Sequence, residues 1–454
     1  MSSMTKSYIV IADIILFVLL LSFLPFSDTE NKGLAMLVFV AVLWLSEAVH
    51  VTITAITIPV LAAILGLVPT AKALNGFSDS NIYLFFGGFA LAAAMHVQKL
   101  DKLIAQRIMA MARGSFFMSV ILLFTITAFL SMWMSNTATA AMMLPLAIGM
   151  LANVDAKENR NVFVFVLLGI AFSASIGGMG TLVGSPPNAI VASNIGMTFA
   201  DWFVIGFPFM VVLMPVMILT LYFVFKPNLK IEVNFQEENI ELTPKRITTL
   251  AVFVIVALCW IFSAKINPAL SGMLGLAESI GAFDSVIAIA AAIIVVVLKL
   301  ISWKEVQDNT DWGVLMLFGG GITLSAVLKD SGASKIMADG IVFMVDGSHY
   351  FVLGLLVAFF IVFLTEFTSN TASAALLVPL FISIAESIGA PPLGLALIIG
   401  LGASCAFMLP VATPPNAIVF GTGYIKQQEM VRVGLVLNVI CSFVIATGAY
   451  FFFL

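Results

Sequence analysis

Apolar residues in this chain form long uninterrupted runs, separated by short polar stretches. The runs lie at 8–24, 34–44, 82–97, 118–132, 162–176, 202–225, 247–262, 286–300, 312–328, 351–364, 393–409 and 431–454. A helix that crosses a membrane needs about 20 consecutive apolar residues. The pattern therefore predicts about a dozen membrane segments, some of them short.

Composition agrees with this prediction. Of 454 residues, 61% are hydrophobic and only 10% are charged, whereas soluble domains carry about 25% charged residues. The first run is too long for a signal peptide and lacks its small-residue cleavage site, so we interpret it as a span. The net charge of −4 argues against a nucleic-acid partner. The cysteines show no metal-ligand or disulfide spacing, so we expect Cys259, Cys405 and Cys441 to serve in packing.

The chain contains an internal repeat on either side of its most polar stretch, residues 226–246. FFGGFAL at 85–91 corresponds to LFGGGITL at 317–324, and Ser-Asn-Thr occurs at 135–137 and again at 369–371. GSPPNAI at 184–190 corresponds to ATPPNAI at 412–418. Three motifs in the same order indicate an internal duplication.

Both motif pairs place helix-breaking residues inside apolar runs. Ser or Thr followed by small residues is typical of a helix start, and consecutive prolines interrupt a helix. Either motif alone fits a simpler explanation, a cap that holds helices together or a proline kink. Their recurrence in both halves favours two re-entrant hairpins, 118–147 and 351–384, and two broken helices, which membranes tolerate only beside a cavity or within protein.

Lys and Arg positions give an orientation when the hairpins are taken as re-entrant. With the N-terminus in the cytoplasm, the external basic residues are Lys32, Lys72, Lys265, Lys329 and Lys335, and the other 15 of the 20 are cytoplasmic. This bias follows the positive-inside rule. With this course of the chain, the two halves have opposite orientations in the membrane, and the C-terminus lies outside the cell.

Paired broken helices at matching positions indicate a transporter site. Freed carbonyls and Ser, Thr and Asn oxygens suit Na⁺, and helix N-termini suit anions, so carboxylates can bind here without Lys or Arg. Glu366 is the intramembrane acid nearest a motif. Its two interpretations are a carboxylate bonded to nearby N–H or hydroxyl groups and a proton or cation site.

The two Ser-Asn-Thr motifs together with SPPNAI and TPPNAI resemble the divalent-anion/sodium symporter family, including INDY-type bacterial dicarboxylate transporters. The resemblance covers nearly the whole chain. It implies a homodimer in the bacterial inner membrane, with about 11 transmembrane helices, two re-entrant hairpins and an elevator-type moving domain. It also implies import of C4 dicarboxylates (succinate, fumarate, malate) with Na⁺ as coupling ion, and no cofactor.

The resemblance carries specific roles to motif residues of this chain. One Na⁺ site corresponds to Ser131, Ser135, Asn136 and Gly184, and the second to Thr365, Thr368, Asn370 and Ala412. The substrate carboxylates correspond to contacts with Asn136, Thr137, Ser185, Pro186, Ser369, Asn370, Thr371, Thr413 and Pro414.

The predicted division of the chain has five parts. Scaffold helices occupy 1–112 and 247–347, the moving transport domain occupies 113–225 and 348–454, and 226–246 is a cytoplasmic linker. Three alternatives to Na⁺-coupled import remain open: a Na⁺-independent dicarboxylate exchanger, a citrate or sulfate transporter on the same scaffold, and an anion channel. No nucleophile–base pair, metal cluster or cofactor motif occurs in the sequence, so we expect no enzyme.

Overall fold

The computed structural model describes residues 3–112, 115–152, 154–229, 240–337, 339 and 350–454. The elements in these residues are helices. The first half contains α1 (Ser3–Phe23), α2 (Asp28–Ser46), α3 (Val51–Ile64), α4 (Thr70–Leu74), α5 (Ser80–Val97), α6 (Leu100–Ala110), α7 (Phe116–Ser131), α8 (Asn136–Leu151), α9 (Arg160–Gly178), α10 (Pro186–Ile195) and α11 (Phe199–Phe225). The second half contains α12 (Pro244–Ile261), α13 (Ser263–Met273), α14 (Phe283–Val297), α15 (Trp303–Asn309), α16 (Trp312–Ser331), α17 (Tyr350–Leu364), α18 (Asn370–Ser387), α19 (Pro392–Gly402), α20 (Pro414–Phe420) and α21 (Gln427–Phe453).

The all-α, membrane-spanning architecture predicted from the apolar runs is confirmed. Within the described residues, nine helical stretches are long and apolar enough to cross a membrane. None of the apolar runs identified in the sequence covers α3. Its apolar residues are interrupted by Thr52, Thr54, Thr57 and Pro59. Residues 230–239 of the predicted linker, including Glu232, Glu237 and Glu238, lie outside the described residues.

The two hairpins turn where the Ser-Asn-Thr motifs lie. Hairpin 1 consists of α7 and α8, and hairpin 2 consists of α17 and α18. Ser135 begins α8 by accepting a hydrogen bond from the Ala138 N–H at 3.2 Å. Ser369 begins α18 in the same way, with the Ala372 N–H at 3.3 Å. The short side chains that follow let each helix start close to its neighbours without steric conflict.

The two Pro-Pro motifs divide two further helices into separate halves. In break 1, α9 ends at Gly178, a short 3-10 helix covers Leu182–Gly184, and α10 begins at Pro186. In break 2, α19 ends at Gly402 and α20 begins at Pro414. Proline is favoured in the first turn of a helix, where its missing N–H costs nothing. Each motif therefore starts the second half of its broken helix.

Hairpins and breaks form one intertwined unit at the centre of the protein. Each hairpin packs on the broken helix of its own half, and each also packs on the far half of the other broken helix: α20 contacts α8, and α10 contacts α18. About 94% of α9 is buried within the protein, compared with 6% of α1. The hairpins and broken helices therefore form the core of the structure, and α1 lies at its outer surface.

The glycine-rich segments allow close helix packing around this unit, as their spacing predicts. A Cβ atom at Gly87 of α5 would lie only 2.3 Å from the Ala288 carbonyl oxygen on α14. A Cβ atom at Gly320 of α16 would lie 2.7 Å from the Ala55 carbonyl oxygen on α3. Both helix pairs are thus in backbone contact at points where any larger side chain would separate them.

Candidate transport site

Four helix N-termini meet at one central cavity of about 850 Å³. They are the starts of α8, α10, α18 and α20, at Ser135, Ser185, Ser369 and Thr413. All nine residues predicted to contact substrate line this cavity: Asn136, Thr137, Ser185, Pro186, Ser369, Asn370, Thr371, Thr413 and Pro414. Residues more than 200 positions apart in the chain are thus brought together, as the duplicated motifs predict. Their individual roles remain predictions.

The first half of the site is a cluster of oxygen atoms behind Asn136. The Ser131 hydroxyl lies 2.7 Å from the Asn136 amide oxygen and 2.7 Å from the Ala174 carbonyl oxygen. Ser131 is fully buried and does not line the cavity, whereas Asn136 does. We name these groups oxygen cluster 1. Its members come from the hairpin turn and from the C-terminal part of α9.

The second half repeats this geometry behind Asn370. The Thr365 hydroxyl lies 2.5 Å from the Asn370 amide oxygen and 3.1 Å from the Ala403 carbonyl oxygen. Thr365 is also fully buried. We name these groups oxygen cluster 2. The duplication has therefore preserved the contact pattern while exchanging Ser for Thr.

Both clusters contain more acceptor atoms than protons. A hydroxyl group has one proton, yet the Ser131 and Thr365 hydroxyls each face two acceptor oxygens. Only one of the two contacts can be a hydrogen bond at a time, so a lone pair always faces another lone pair. A cation among these oxygens would relieve that repulsion. Neutral oxygen ligands of this kind match the preference of hard cations such as Na⁺.

Two glycines keep oxygen cluster 1 compact. A Cβ atom at Gly178 would lie 2.5 Å from the Asn136 amide oxygen and 3.0 Å from the Gly184 carbonyl oxygen. A Cβ atom at Gly184 would lie 2.5 Å from the Gly178 carbonyl oxygen and 3.0 Å from the Ser131 carbonyl oxygen. The carbonyl oxygens of Ser131, Gly178 and Gly184 therefore lie close to one or the other of these glycines, and they are further potential cation ligands beside the cluster.

The asparagines of the Pro-Pro-Asn motifs hold the two breaks open. The Asn188 side-chain amide donates to the Gly178 and Thr181 carbonyls at 2.8 and 2.7 Å. Asn416 donates to the Ala406 and Leu409 carbonyls, both at 3.0 Å. In each case one amide group satisfies two carbonyls that the interrupted helix leaves without partners. Sequence alone predicts no role for these asparagines, although their presence in both copies of the motif is the available signal.

An anion in this cavity would have to be bound mainly by backbone groups. No Lys or Arg is among the described residues that line the cavity. The first N–H groups of a helix have no acceptor within that helix, and the helix dipole adds partial positive charge there. Because α10 and α20 begin with two prolines each, they lack the first two of these N–H donors, and the next N–H groups, of Asn188 and Asn416, donate to Ser185 and Thr413. The donors for an anion are therefore the starts of α8 and α18, at Asn136, Thr137, Asn370 and Thr371.

One predicted Na⁺ ligand has its hydroxyl engaged elsewhere. The Thr368 hydroxyl donates to the Leu364 carbonyl at 3.0 Å and contacts the Ser373 hydroxyl at 2.7 Å. The residue that corresponds to Thr368 in the first half is Met134, which has no hydroxyl. The Ser135 hydroxyl likewise caps α8. Ser131 and Thr365 thus match under the repeat, whereas Ser135 and Thr368 do not.

Glu366 is a buried carboxylate surrounded by donors. One of its oxygens, Oε1, accepts from the Phe407 and Met408 N–H groups at 2.7 and 2.9 Å and from the Asn438 side-chain amide at 2.7 Å. The other, Oε2, accepts from the Leu409 N–H at 3.0 Å. Its side chain is 1% exposed. The first interpretation from sequence, a carboxylate bonded to nearby N–H groups, is therefore correct about its contacts.

Two solved transporter structures share the fold of this chain. The YdaH transporter of Alcanivorax borkumensis has a similar structure, with a TM-score of 0.58 over 99% of this chain and 98% of that chain at 12% identity. The antimetabolite efflux pump MtrF of Neisseria gonorrhoeae gives a TM-score of 0.59 over 99% and 94% of the two chains at 14% identity. At these identities the similarity concerns the fold alone.

Sequence comparison then gives the family. Residues 3–453 match the family described as the sodium:sulfate symporter transmembrane region. A Haemophilus influenzae protein described as an uncharacterized transporter is 66% identical over 98% of this chain and 97% of its own length. The sodium-dependent dicarboxylate transporter SdcS of Staphylococcus saprophyticus is 31% identical over 96% of this chain and 89% of its own. The chain therefore belongs to the sodium:sulfate symporter family, which includes the divalent-anion/sodium symporters that it resembles.

Proposed function

We propose that this protein imports C4 dicarboxylates together with Na⁺. The observation that carries the proposal is the pairing, in one cavity, of two acceptor-rich oxygen clusters with two helix N-termini. The clusters behind Asn136 and Asn370 suit two cations. The N–H groups at the starts of α8 and α18 suit two anionic groups. The sodium-dependent dicarboxylate transporter SdcS, a relative of this chain, supports the same assignment.

The proposed coupling follows from electrostatics. A dianion in a cavity without Lys or Arg receives only partial positive charge from helix ends. Cations in the oxygen clusters supply the remaining positive charge next to it, through Asn136 and Asn370, which belong to a cluster and to the cavity lining at once. Each ligand therefore stabilises the other, which is the requirement for symport.

A two-ended anion fits this arrangement better than sulfate. Sulfate is compact and can bind at one helix N-terminus, whereas the cavity offers equivalent donor groups on hairpin 1 and hairpin 2. Sulfate remains the second candidate because the matched family description names it.

We further propose an elevator movement within a homodimer in the bacterial inner membrane, with the N-terminus in the cytoplasm and the C-terminus outside. The cavity extends to Glu47, His96, Asn309 and Asp311, at the ends of α2, α5 and α15 and the start of α16. In the proposed orientation these residues face the cytoplasm, so the structure corresponds to an inward-open state. The intertwined hairpins and breaks form the moving domain, 113–225 with 348–454.

The test is uptake by proteoliposomes that contain the purified protein. Labelled succinate, citrate and sulfate are each offered with either Na⁺ or K⁺ outside, and with or without unlabelled succinate inside. We expect succinate uptake that requires external Na⁺, with a Hill slope above one and no need for internal substrate. Equal uptake in K⁺ contradicts symport, and uptake only into succinate-loaded vesicles indicates exchange.

A further inference from the structure

The two halves of the site differ in the hydrogen bonds that connect each hairpin to the break in the broken helix of the same half. In the first half, the Thr181 hydroxyl donates a hydrogen bond to the Met132 carbonyl. Met132 and Thr181 correspond by the repeat to Glu366 and Leu409. In the second half, the Leu409 N–H donates to the Glu366 carboxylate. The same two positions are thus connected twice, by a neutral bond in one half and by a charged bond in the other.

The N–H groups of the two breaks are also satisfied differently. In break 1, the Met179 and Gly180 N–H groups donate to the carbonyls of Ile176 and Gly177, within the same turn. Their counterparts in break 2 are Phe407 and Met408, and both donate to Glu366. Break 1 is therefore locally self-contained. Break 2 takes its shape from a side chain of hairpin 2.

The environment of Glu366 is that of an ionised group. All four of its contacts are donors, three backbone N–H groups and the Asn438 amide, and a protonated carboxyl would need an acceptor for its own proton. Bonds of donors to an ionised acceptor are stronger than neutral ones. Glu366 directly follows Thr365, the central hydroxyl of oxygen cluster 2. The second half therefore carries a carboxylate one residue along the chain from its cluster hydroxyl, whereas the corresponding residue of the first half, Met132, is uncharged.

We propose that Glu366 is a positioning residue that locks hairpin 2 to break 2 and makes oxygen cluster 2 the stronger of the two cation sites. This inference rests on the proposed function. Glu366 acts through Thr365, Asn370 and the backbone of break 2, and its oxygens are occupied by protein donors. The carboxylate preorganises the second cluster and attracts the cation without ligating it.

Three variants test this assignment, measured by the Na⁺ dependence of succinate uptake and by Na⁺-induced thermal stabilisation of purified protein without substrate. E366Q retains the shape of the side chain, but its amide faces the Leu409 N–H with a second donor. N438L removes only the amide donor, from a residue of α21 outside the motifs. T181V removes the neutral hydrogen bond between the Thr181 hydroxyl and the Met132 carbonyl in the first half, and it is the matched control.

We expect E366Q to raise the half-saturating Na⁺ concentration about tenfold or more, which is about 1.4 kcal/mol or more. N438L should raise it in the same direction by a smaller factor. E366Q combined with N438L should be no worse than E366Q alone, because both act through one contact group. T181V should change it less than E366Q does. The succinate KM at saturating Na⁺ should stay within about twofold of wild type in each variant.

Several results would overturn the inference. If the E366Q variant has wild-type Na⁺ dependence, Glu366 does not strengthen oxygen cluster 2 and the inference is wrong. If N438L leaves Na⁺ dependence unchanged while E366Q loses it, Glu366 binds the cation directly. A change in succinate KM alone places Glu366 at the substrate. If E366Q is not recovered as folded protein, the N438L variant is the test. An unchanged half-saturating Na⁺ concentration in N438L then contradicts the inference. A wild-type protein without Na⁺ dependence in either measurement refutes the proposed function instead.

Discussion

The Ser131 hydroxyl lies 2.7 Å from the Asn136 amide oxygen, and it joins the end of α7 to the start of α8 across the tip of hairpin 1. The side chain of Asn136 therefore has a fixed direction before any ligand binds. Its oxygen faces the cluster, and its backbone N–H lies at the helix start that lines the cavity. One residue thus connects a potential cation site with a potential anion site.

The Asn136→Ala and Asn370→Ala variants should each abolish Na⁺-driven uptake while leaving folded protein in detergent. Each truncation removes one cluster oxygen, so a cation there loses a ligand, while the Ser131 or Thr365 hydroxyl can still donate to the Ala174 or Ala403 carbonyl and the fold is retained. Na⁺-induced thermal stabilisation should fall in both. Size-exclusion chromatography and melting curves with and without Na⁺ measure this.

Asn194 supplies the matched control for these variants. Its side-chain amide donates to the Ile190 carbonyl of its own helix at 2.8 Å and does not line the cavity. Asn194→Ala should retain Na⁺-dependent uptake. Near-normal uptake by either motif variant would show that the site lies elsewhere.

Gly178→Ala should eliminate transport although it adds only one methyl group. The added Cβ atom would lie 2.5 Å from the Asn136 amide oxygen, far inside van der Waals contact, so Asn136 or the backbone of break 1 must move. Small-to-large changes in packed sites typically cost about 1–3 kcal/mol, and here the displaced group belongs to the cluster. Uptake together with the Na⁺ concentration for half-saturation provides the measurement.

Gly149→Ala in α8 is the corresponding control. Among the described residues, no atom outside the backbone of its own helix lies within 4 Å of a Cβ atom at this position. Alanine in a helix interior is favoured over glycine by about 0.5–1 kcal/mol. We expect unchanged transport and an equal or slightly higher melting temperature. If Gly178→Ala transports as well as Gly149→Ala does, break 1 tolerates the displacement and cluster 1 is not a cation site.

The membrane segments and the breaks could be predicted from sequence because they depend on local properties. Long apolar runs specify spans, and Ser-Asn-Thr and Pro-Pro specify helix starts through capping and the missing proline N–H. The helix α3 was missed because its threonines and Pro59 divide its apolar residues into short groups. In a membrane helix such residues are tolerated when their polar groups bond within the helix, as the Thr57 hydroxyl does with the Ile53 carbonyl.

The contacts between motifs could not be predicted because the two halves use different residues for the same connection. The Thr181–Met132 and Leu409–Glu366 contacts join equivalent positions, yet none of these residue pairs looks alike in the sequence. Glu366 was recognised as an unusual acid, but its partners in break 2 and on α21 are 41 to 72 positions away. Only the folded chain shows that one carboxylate replaces a set of local backbone bonds.

Fumarate should compete with succinate for uptake, whereas a monocarboxylate such as butyrate should compete poorly. Fumarate places two carboxylates at opposite ends of a short chain, so that hairpin 1 and hairpin 2 can each provide N–H donors to one of them. Butyrate can bind the N–H donors of only one hairpin, and it leaves those of the other hairpin without an anion. Inhibition of labelled succinate uptake, measured at fixed Na⁺, gives the ranking. Equal inhibition by butyrate and fumarate would mean that only one helix N-terminus binds substrate.

The elevator proposal predicts which contacts must break during transport. A Cβ atom at Gly88 of α5, in the predicted scaffold, would lie 3.3 Å from the Val183 Cβ atom in break 1. A Cβ atom at Gly400 of α19 would lie 3.6 Å from the Val191 Cβ atom of α10, and both of these residues belong to the predicted moving domain. Disulfides usually have Cβ separations of about 3.5–4.5 Å, so both pairs are close to bridging distance.

Paired cysteines at these positions, in a background where Cys259, Cys405 and Cys441 are replaced, should therefore behave differently. Oxidation of Gly88→Cys with Val183→Cys should stop uptake, and a reductant should restore it, because the bridge joins the moving domain to the scaffold. Oxidation of Gly400→Cys with Val191→Cys should leave uptake largely intact, because that bridge travels with the domain. Gel mobility after proteolysis confirms that each bridge forms, and uptake is measured on the same samples. If both bridges stop transport, the two broken helices move relative to each other and a rocking mechanism replaces the elevator. If neither does, break 1 stays beside α5 throughout the cycle, and the substrate crosses without movement of the site.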